Sequence, residues 1–478
     1  MANEALVAER VWRVNTCVFQ CFLRELKTML HIMMQQCNIS VIQSFFPASI
    51  PFFTQGIETD ALTSTVHAGN FGSQAPGAHV PGTQVTWGTT AHVLAAAAAA
   101  PVLCCVIERF GRKVGIFIVS LVQGVSCIPL LLDVNELNII ALHILAGISS
   151  GGLYTIFPIY IREISSIQNR GFALSLFIPM TAAGYLMRLV TDLDALMFLM
   201  VALVLFQMIT VFCLVESPSY LVMKGNHEVT KLTVSRLKCL SPEHPTVIQE
   251  VASLKDESDR ARAAGKLQTI TIIKNPIWRD ATKIGLVLHS TMILSGSVIF
   301  LDQHRTLVQL GSPADPDRVL TLACFCAGSL LCTAVIRYLL TSAFFVMAVS
   351  MGILAVYTQA DLTVYTFRWV PVAALGVLLA AYGVVWGLPV LVITELFNCE
   401  IRSHQLALLY VYSQLIKLAH VYSFPHIEAY MGVYTMFYMF VGVNLFGAVY
   451  CLFHIPQLKN KTNRQIERQL KRVPLLKM

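Results

Sequence analysis

Apolar runs long enough to cross a membrane recur along this chain, separated by short polar stretches, and their order predicts the architecture. Twelve such runs lie near residues 28–53, 88–107, 114–132, 138–161, 171–191, 195–215, 282–301, 319–336, 341–358, 370–392, 405–424 and 430–454. About 20 apolar residues carry a helix across a bilayer, so each run reads as one span. The eighth is short, and the first is interrupted by Gln35, Gln36, Asn38 and Gln43. The stretch from Gly147 to Gly171 shows the pattern at its sharpest. Small residues suited to close helix packing come first, then Pro158 and Tyr160, then Arg162, Glu163 and Arg170 where the run meets water. The connection from Gly225 to about Asn275 divides the spans six and six. Within it Val247, Ile248, Val251 and Leu254 recur at helical spacing among charges, which predicts short amphipathic helices. The organisation expected is an N-terminal segment 1–27, a six-helix half 28–221, a helical linker 222–281, a second six-helix half 282–454 and a tail 455–478, all α-helical.

Composition supports a polytopic membrane protein. Of 478 residues, 56% are hydrophobic and 13% charged, and the mean hydropathy is +0.65. Soluble chains carry about 25% charged residues. Met1 to Lys27 lacks the apolar core and small-residue cleavage site of a secretory signal peptide. Most of the 13 cysteines, Cys104, Cys105, Cys324, Cys326 and Cys332 among them, sit inside apolar runs and read as small buried hydrophobes, not metal ligands or disulfides. The net charge of +7 is better explained by topology than by nucleic acid. Of 34 Lys and Arg residues, 29 fall in the termini and the even-numbered connections, and four (Arg188, Arg305, Arg318, Arg368) in the odd ones. The positive-inside rule therefore puts both termini and the central linker in the cytosol. The loop from Thr54 to Thr90, rich in Gly, Ser, Thr and Pro and without Lys or Arg, then reads as flexible and extracellular.

Five short elements sharpen this layout. Glu108-Arg109-Phe110-Gly111-Arg112-Lys113 follows the second span, and Pro158-Ile159-Tyr160, Glu163 and Arg170-Gly171 follow the fourth. Val215-Glu216-Ser217-Pro218-Ser219-Tyr220-Leu221 follows the sixth, Glu395-Leu396-Phe397 with Arg402 the tenth, and Pro456 to Thr462 the twelfth. In order and spacing they resemble the signatures of the sugar-porter family of the major facilitator superfamily, and the Phe46-Pro47-Ala48 region resembles insect facilitated trehalose and glucose transporters. The resemblance implies two six-helix halves that rock about a midplane site. It further implies that charges at the cytosolic helix ends latch the halves in the outward-facing state. Arg109, Arg112, Glu163, Arg170, Glu216, Glu395 and Arg402 take that role, with Glu163 expected to meet Arg170 and Glu395 to meet Arg402.

The departures from the family fall in the substrate cavity. Ile178 replaces a Gln of the fifth span, Met292-Ile293 a Gln pair of the seventh, Val298 an Asn, Val390 a Trp of the tenth and His143 an Arg of the fourth. The loop after the eighth span retains Arg337 alone. Each net hydrogen bond is worth about 0.5–1.5 kcal/mol, so three lost polar groups cost about 1.5–4.5 kcal/mol unless replaced. Replacement polar groups for the cavity are Gln36, Asn38, His143, His289, Ser295, Trp386, Ser413, Gln414 and Lys417. A buried ionisable residue within a span is a functional hypothesis in itself.

No Asp or Glu lies in the first run, where proton-coupled members keep a carboxylate, so facilitated diffusion of a hexose or trehalose is expected. Nucleotide loops, nucleophile–base pairs and metal spacings are not evident, so neither enzymatic activity nor a cofactor is expected. The expected partners are a small solute and the lipid bilayer, with no nucleic acid and a functional monomer in the plasma membrane. The alternatives are a non-transporting sensor or vestigial paralogue, and a carrier of a less polar solute.

Overall fold

The computed structural model describes residues 50–55, 84–131, 136–165, 170–190, 193–263, 276–296, 315–330, 336–360, 369–397, 399–456, 465–466 and 468–469. The predicted first span before residue 50, with Gln36 and Asn38, lies outside the described residues, as does the side chain of Arg337. Among the described residues there are helices and turns and no strand. The first group of helices comprises α1 (Gln84–Phe110), α2 (Arg112–Leu131), α3 (Glu136–Ile164), α4 (Arg170–Ser175), α5 (Phe177–Val190) and α6 (Leu193–Cys213). Three linker helices follow, α7 (Pro218–Met223), α8 (His227–Lys238) and α9 (Pro245–Ala263). The second group is α10 (Pro276–Leu294), α11 (Asp315–Leu330), α12 (Ile336–Gln359), α13 (Trp369–Leu396), α14 (Cys399–Met431) and α15 (Val433–His454). Helices α1 to α3 are the second to fourth predicted spans, α4 and α5 together the fifth, α6 the sixth, and α10 to α15 the last six.

Five of these helices contain stretches long and apolar enough to cross a membrane, Gly88–Phe110, Ile140–Ile164, Tyr338–Gln359, Trp369–Leu396 and Val433–His454, with mean hydropathies from 1.5 to 2.3. Their outward faces carry residues that a soluble protein would bury. On α6 alone Phe198 is 75% exposed and Phe212 69%. Facing acyl chains, such side chains cost nothing, while the helix satisfies its own backbone groups.

Within the first group α1 runs along α3, and α2 packs on α3 and α6; within the second, α12 packs on α15, and α11 and α12 on α13. The groups meet where α1 lies beside α14, α5 beside α11, and α3 against α13 and α14. In the linker, α8 and α9 pack together and bury Val234, Leu237 and Val247, while Lys231 meets Glu243 and Lys238 meets Glu250. Ile248, part of the expected apolar stripe, is 48% exposed, because the packed face of α9 turns on Val247 and Ser258 instead.

Two local features fix the helix ends near the linker. Between α1 and α2, Gly111 takes a φ of +108°, which side chains rarely tolerate, and a Cβ there would collide with the Glu216 carboxylate. At α7 the Ser217 hydroxyl accepts the Tyr220 N–H at 3.3 Å with Pro218 in the first turn, a strong helix start.

Candidate functional site: a charge layer between the halves

The motif residues converge at the linker end of the bundle. On α3, Glu163 accepts two bonds from Arg112, Nε to Oε2 at 2.9 Å and Nη2 to Oε1 at 3.1 Å, with both side chains 1% exposed. This bidentate geometry is the strongest form of a guanidinium–carboxylate contact. The same carboxylate accepts the Ser217 hydroxyl at 2.5 Å. Arg112 also donates to the Ile107 carbonyl at 3.3 Å and lies 5.2 Å from the Tyr220 ring centroid. Glu216 caps the start of α2, accepting the N–H groups of Arg112 at 2.9 Å and Lys113 at 3.3 Å, and that of Ser217 at 2.9 Å. A carboxylate is favoured at a helix N-terminus, yet burial pushes the Glu216 carboxyl above its ordinary value against the pull of these N–H groups.

A second set of contacts crosses between the halves. Arg402 of α14 reaches Glu163 at 3.7 Å, while its guanidinium donates to the carbonyls of Thr394 and Phe397 at 3.0–3.2 Å. Glu395 of α13 meets Arg162 at 3.4 Å and Arg170 at 3.5 Å, both from the first half. Glu108 of α1 accepts the Ser403 hydroxyl and meets His404 Nδ1 at 2.8 Å, both on α14. The expected pairing of Glu163 with Arg170 and Glu395 with Arg402 is thus corrected. Glu163 is met by Arg112 of its own half and by Arg402 from across the boundary, Glu395 by Arg162 and Arg170 from across it, and neither by the arginine that follows it in sequence. Successive helical residues point about 100° apart, so Arg162 turns to Glu395 while its neighbour Glu163 turns to Arg112 and Arg402. Arg109 is also corrected. It is exposed, its guanidinium lies 5.6 Å from the Phe110 ring centroid, and among the described residues it forms no ion pair.

Farther from the linker, aromatic side chains fill the boundary. Tyr154 stacks on Tyr410 with centroids 5.9 Å apart, and Trp386 lies 5.6 Å from Phe325, 6.1 Å from Tyr185 and 6.3 Å from Tyr154. The Ser150 and Tyr410 hydroxyls are 3.1 Å apart across the boundary. Ile178, where the family has Gln, packs onto Gly387 of α13 so tightly that a Cβ on Gly387 would overlap it.

Of the described polar residues expected in the cavity, Trp386 stands in this aromatic group and the Gln414 side chain lies beside the Tyr410 hydroxyl. The Ser413 hydroxyl bonds back to the Tyr410 carbonyl at 2.7 Å and the Ser295 hydroxyl to Met292 at 2.6 Å, while Asn444 donates to the Ser295 carbonyl. Both hydroxyls are thus engaged by their own chain segments. His143 and His289 are buried, Gln414 and Lys417 half-buried. Arg162 and Glu108 stood within the sequence motifs without a role in the latch, and Ser403, His404, Tyr154 and Tyr410 were not singled out from the sequence. The signal for Arg162 was present, since a basic residue adjoining Glu163 points to a different face and needs its own partner.

Residues 38–470 match the family model described as "Sugar (and other) transporter". The chain belongs to this family. Among relatives of this chain, the probable metabolite transport protein CsbC of Bacillus subtilis is 23% identical over 384 residues, 76% of this chain and 81% of that protein. The facilitated trehalose transporter Tret1 of Drosophila pseudoobscura pseudoobscura is 21% identical, covering 76% of this chain and 43% of Tret1. The low-affinity glucose transporter HXT3 of Saccharomyces cerevisiae is 24% identical over 206 residues, so the match spans 40% of this chain and only 36% of HXT3. The proton:xylose symporter XylE, bound to 6-bromo-6-deoxy-D-glucose, shares the major facilitator fold with a TM-score of 0.74 at 18% identity, covering 90% of this chain and 99% of that one.

Proposed function

We propose that this chain carries a sugar, a hexose or trehalose, across the plasma membrane by facilitated diffusion. It works as a monomer through alternating access, with both termini and α7–α9 in the cytosol. The observation that carries the reading is the crossed charge layer, in which Glu163 is reached by Arg402, and Glu395 by Arg162 and Arg170. These cross-boundary links are made by side chains, so the halves part at this end without breaking a helix. Two charges about 4 Å apart attract by about 4 kcal/mol at an intermediate dielectric, enough to hold a state and weak enough to release it. With the linker end latched, the solute enters from the opposite side. The boundary aromatics Tyr154, Trp386 and Tyr410, with the Ser150 hydroxyl beside them, support a sugar site, because ligand sites pair apolar walls with a few placed polar groups. The sugar named for Tret1 and HXT3 supports the substrate class. The absence of Asp and Glu from residues 28–53 supports uncoupled transport.

Purified protein in liposomes tests this against labelled hexoses, trehalose and less polar solutes. Saturable sugar uptake that equilibrates, and that an imposed pH gradient does not drive uphill, is expected. No uptake of any sugar by correctly folded protein overturns the substrate. Accumulation that a protonophore abolishes overturns the uncoupled mechanism.

A further inference from the structure

At the rim of the charge layer, three side chains of different chemistry face one another across the two halves. Cys104 and Glu108 stand four residues apart on α1, which places them on one helix face. His404 comes from the first turns of α14. The Cys104 thiol sulfur, a Glu108 carboxylate oxygen and a His404 ring nitrogen lie within 4.8 Å of one another. The thiol is buried, whereas the side chains of His404 and Glu108 are 55% and 33% exposed, so an ion from the linker side reaches them directly. The Ser403 hydroxyl donates to Glu108 and fixes the carboxylate. None of these residues belongs to the Glu163 and Glu395 clusters.

We propose that Cys104, Glu108 and His404 form a binding site for a divalent transition-metal ion of the zinc class, spanning α1 and α14. Thiolate, imidazole and carboxylate are the three donor types that Zn²⁺ takes, and a three-ligand site with water in the fourth position is a common form. Bonds of about 2.0–2.3 Å put tetrahedral donors about 3.5 Å apart, so the three side chains need close by only about 1 Å. Binding displaces the thiol proton to solvent. Soft and borderline ligands favour Zn²⁺ or Cd²⁺ over Mg²⁺ and Ca²⁺, which prefer all-oxygen shells. Since α1 and α14 belong to opposite halves, a bound ion staples the linker end shut. That consequence, but not the binding itself, rests on the transport reading.

Metal binding to tag-free protein in lipid nanodiscs tests the site with no solute present. Titration with Zn²⁺ against a competing chelator should show one saturable site per chain, and Cd²⁺ should give the ultraviolet charge-transfer band of a cadmium thiolate. Cys104→Ser should abolish the band. His404→Ala and Glu108→Gln should weaken Zn²⁺ by about tenfold or more, the scale of losing a supporting group at a metal centre. His404 is largely exposed, so its variant keeps the fold. His420→Ala, on α14 but remote from the cluster, should bind like the wild type. Absence of saturable Zn²⁺ binding, or wild-type affinity in both His404→Ala and Cys104→Ser, overturns the site. If binding holds but sugar uptake fails, the site stands and the transport reading falls.

Discussion

The linker end and the middle of the boundary solve the same problem with different materials. At the linker end, charged side chains join the halves through few contacts, and those contacts form two grades. Inside the first half, Arg112 and Glu163 meet at 2.9–3.1 Å in a bidentate pair with both side chains 1% exposed. Across the boundary the guanidinium–carboxylate pairs lengthen to 3.4–3.7 Å, and at the rim Glu108 meets the His404 ring at 2.8 Å. In the middle, aromatic and aliphatic groups take over, with Tyr154 on Tyr410 and Ile178 seated on Gly387. The difference separates what must hold from what must give way. A tight buried pair fixes the first half as a body, Arg402 is tied to carbonyls of its own half, longer guanidinium pairs join the two bodies reversibly, and non-directional apolar contacts let them slide.

The comparison predicts a graded set of failures. Arg112→Ala strands a buried carboxylate within one half and should cost about 3–5 kcal/mol of fold stability. It reads out as a large drop in thermal midpoint of the solubilised protein; an unchanged midpoint would place that pair among the reversible contacts. Gly387→Ala should cost about 1–3 kcal/mol by overpacking against Ile178, and Gly387→Ala with Ile178→Ala should recover most of it. No recovery in the double variant would show that the two residues do not share a contact. The smallest effect belongs to Glu216. Because burial raises its carboxyl, its contribution is fully present below the ordinary value of 4.5 and is lost as pH rises through the raised value. The thermal midpoint of Glu216→Gln relative to wild type should therefore rise between pH 4.5 and neutrality, and a difference constant with pH would contradict this.

The linker end was far more legible in the sequence than the middle. Glu163 and Glu395 stood out because they lie in motifs that resemble the family's signatures, and a carboxylate at the end of an apolar run contributes little to topology and needs a partner. Spacing could not say which arginine would cross over, because Glu163 and Arg402 lie on different halves and their meeting depends on how α3 and α14 pack. In the middle the signal fades. Tyr154, at the boundary, and Phe198, facing outward, both occur as aromatics in apolar runs, and neither composition nor periodicity separates them. The serines carried a similar ambiguity, since Ser413 and Ser295 satisfy their hydroxyls on nearby carbonyls of their own segments.

The central claim, that crossed ion pairs hold the linker ends together, is tested most directly by a distance. Spin labels at Arg109→Cys on α1 and Arg279→Cys on α10, both exposed and on opposite halves, report the gap at that end once native exposed thiols such as Cys105 and Cys239 are replaced. With the latch intact the distribution should be dominated by one short distance. Adding Glu395→Gln and Arg402→Ala together should move a major fraction to longer distances, since about 1.4 kcal/mol changes a population ratio tenfold. An unchanged distribution in the folded double variant would contradict the account and reduce these charges to ordinary helix-end residues.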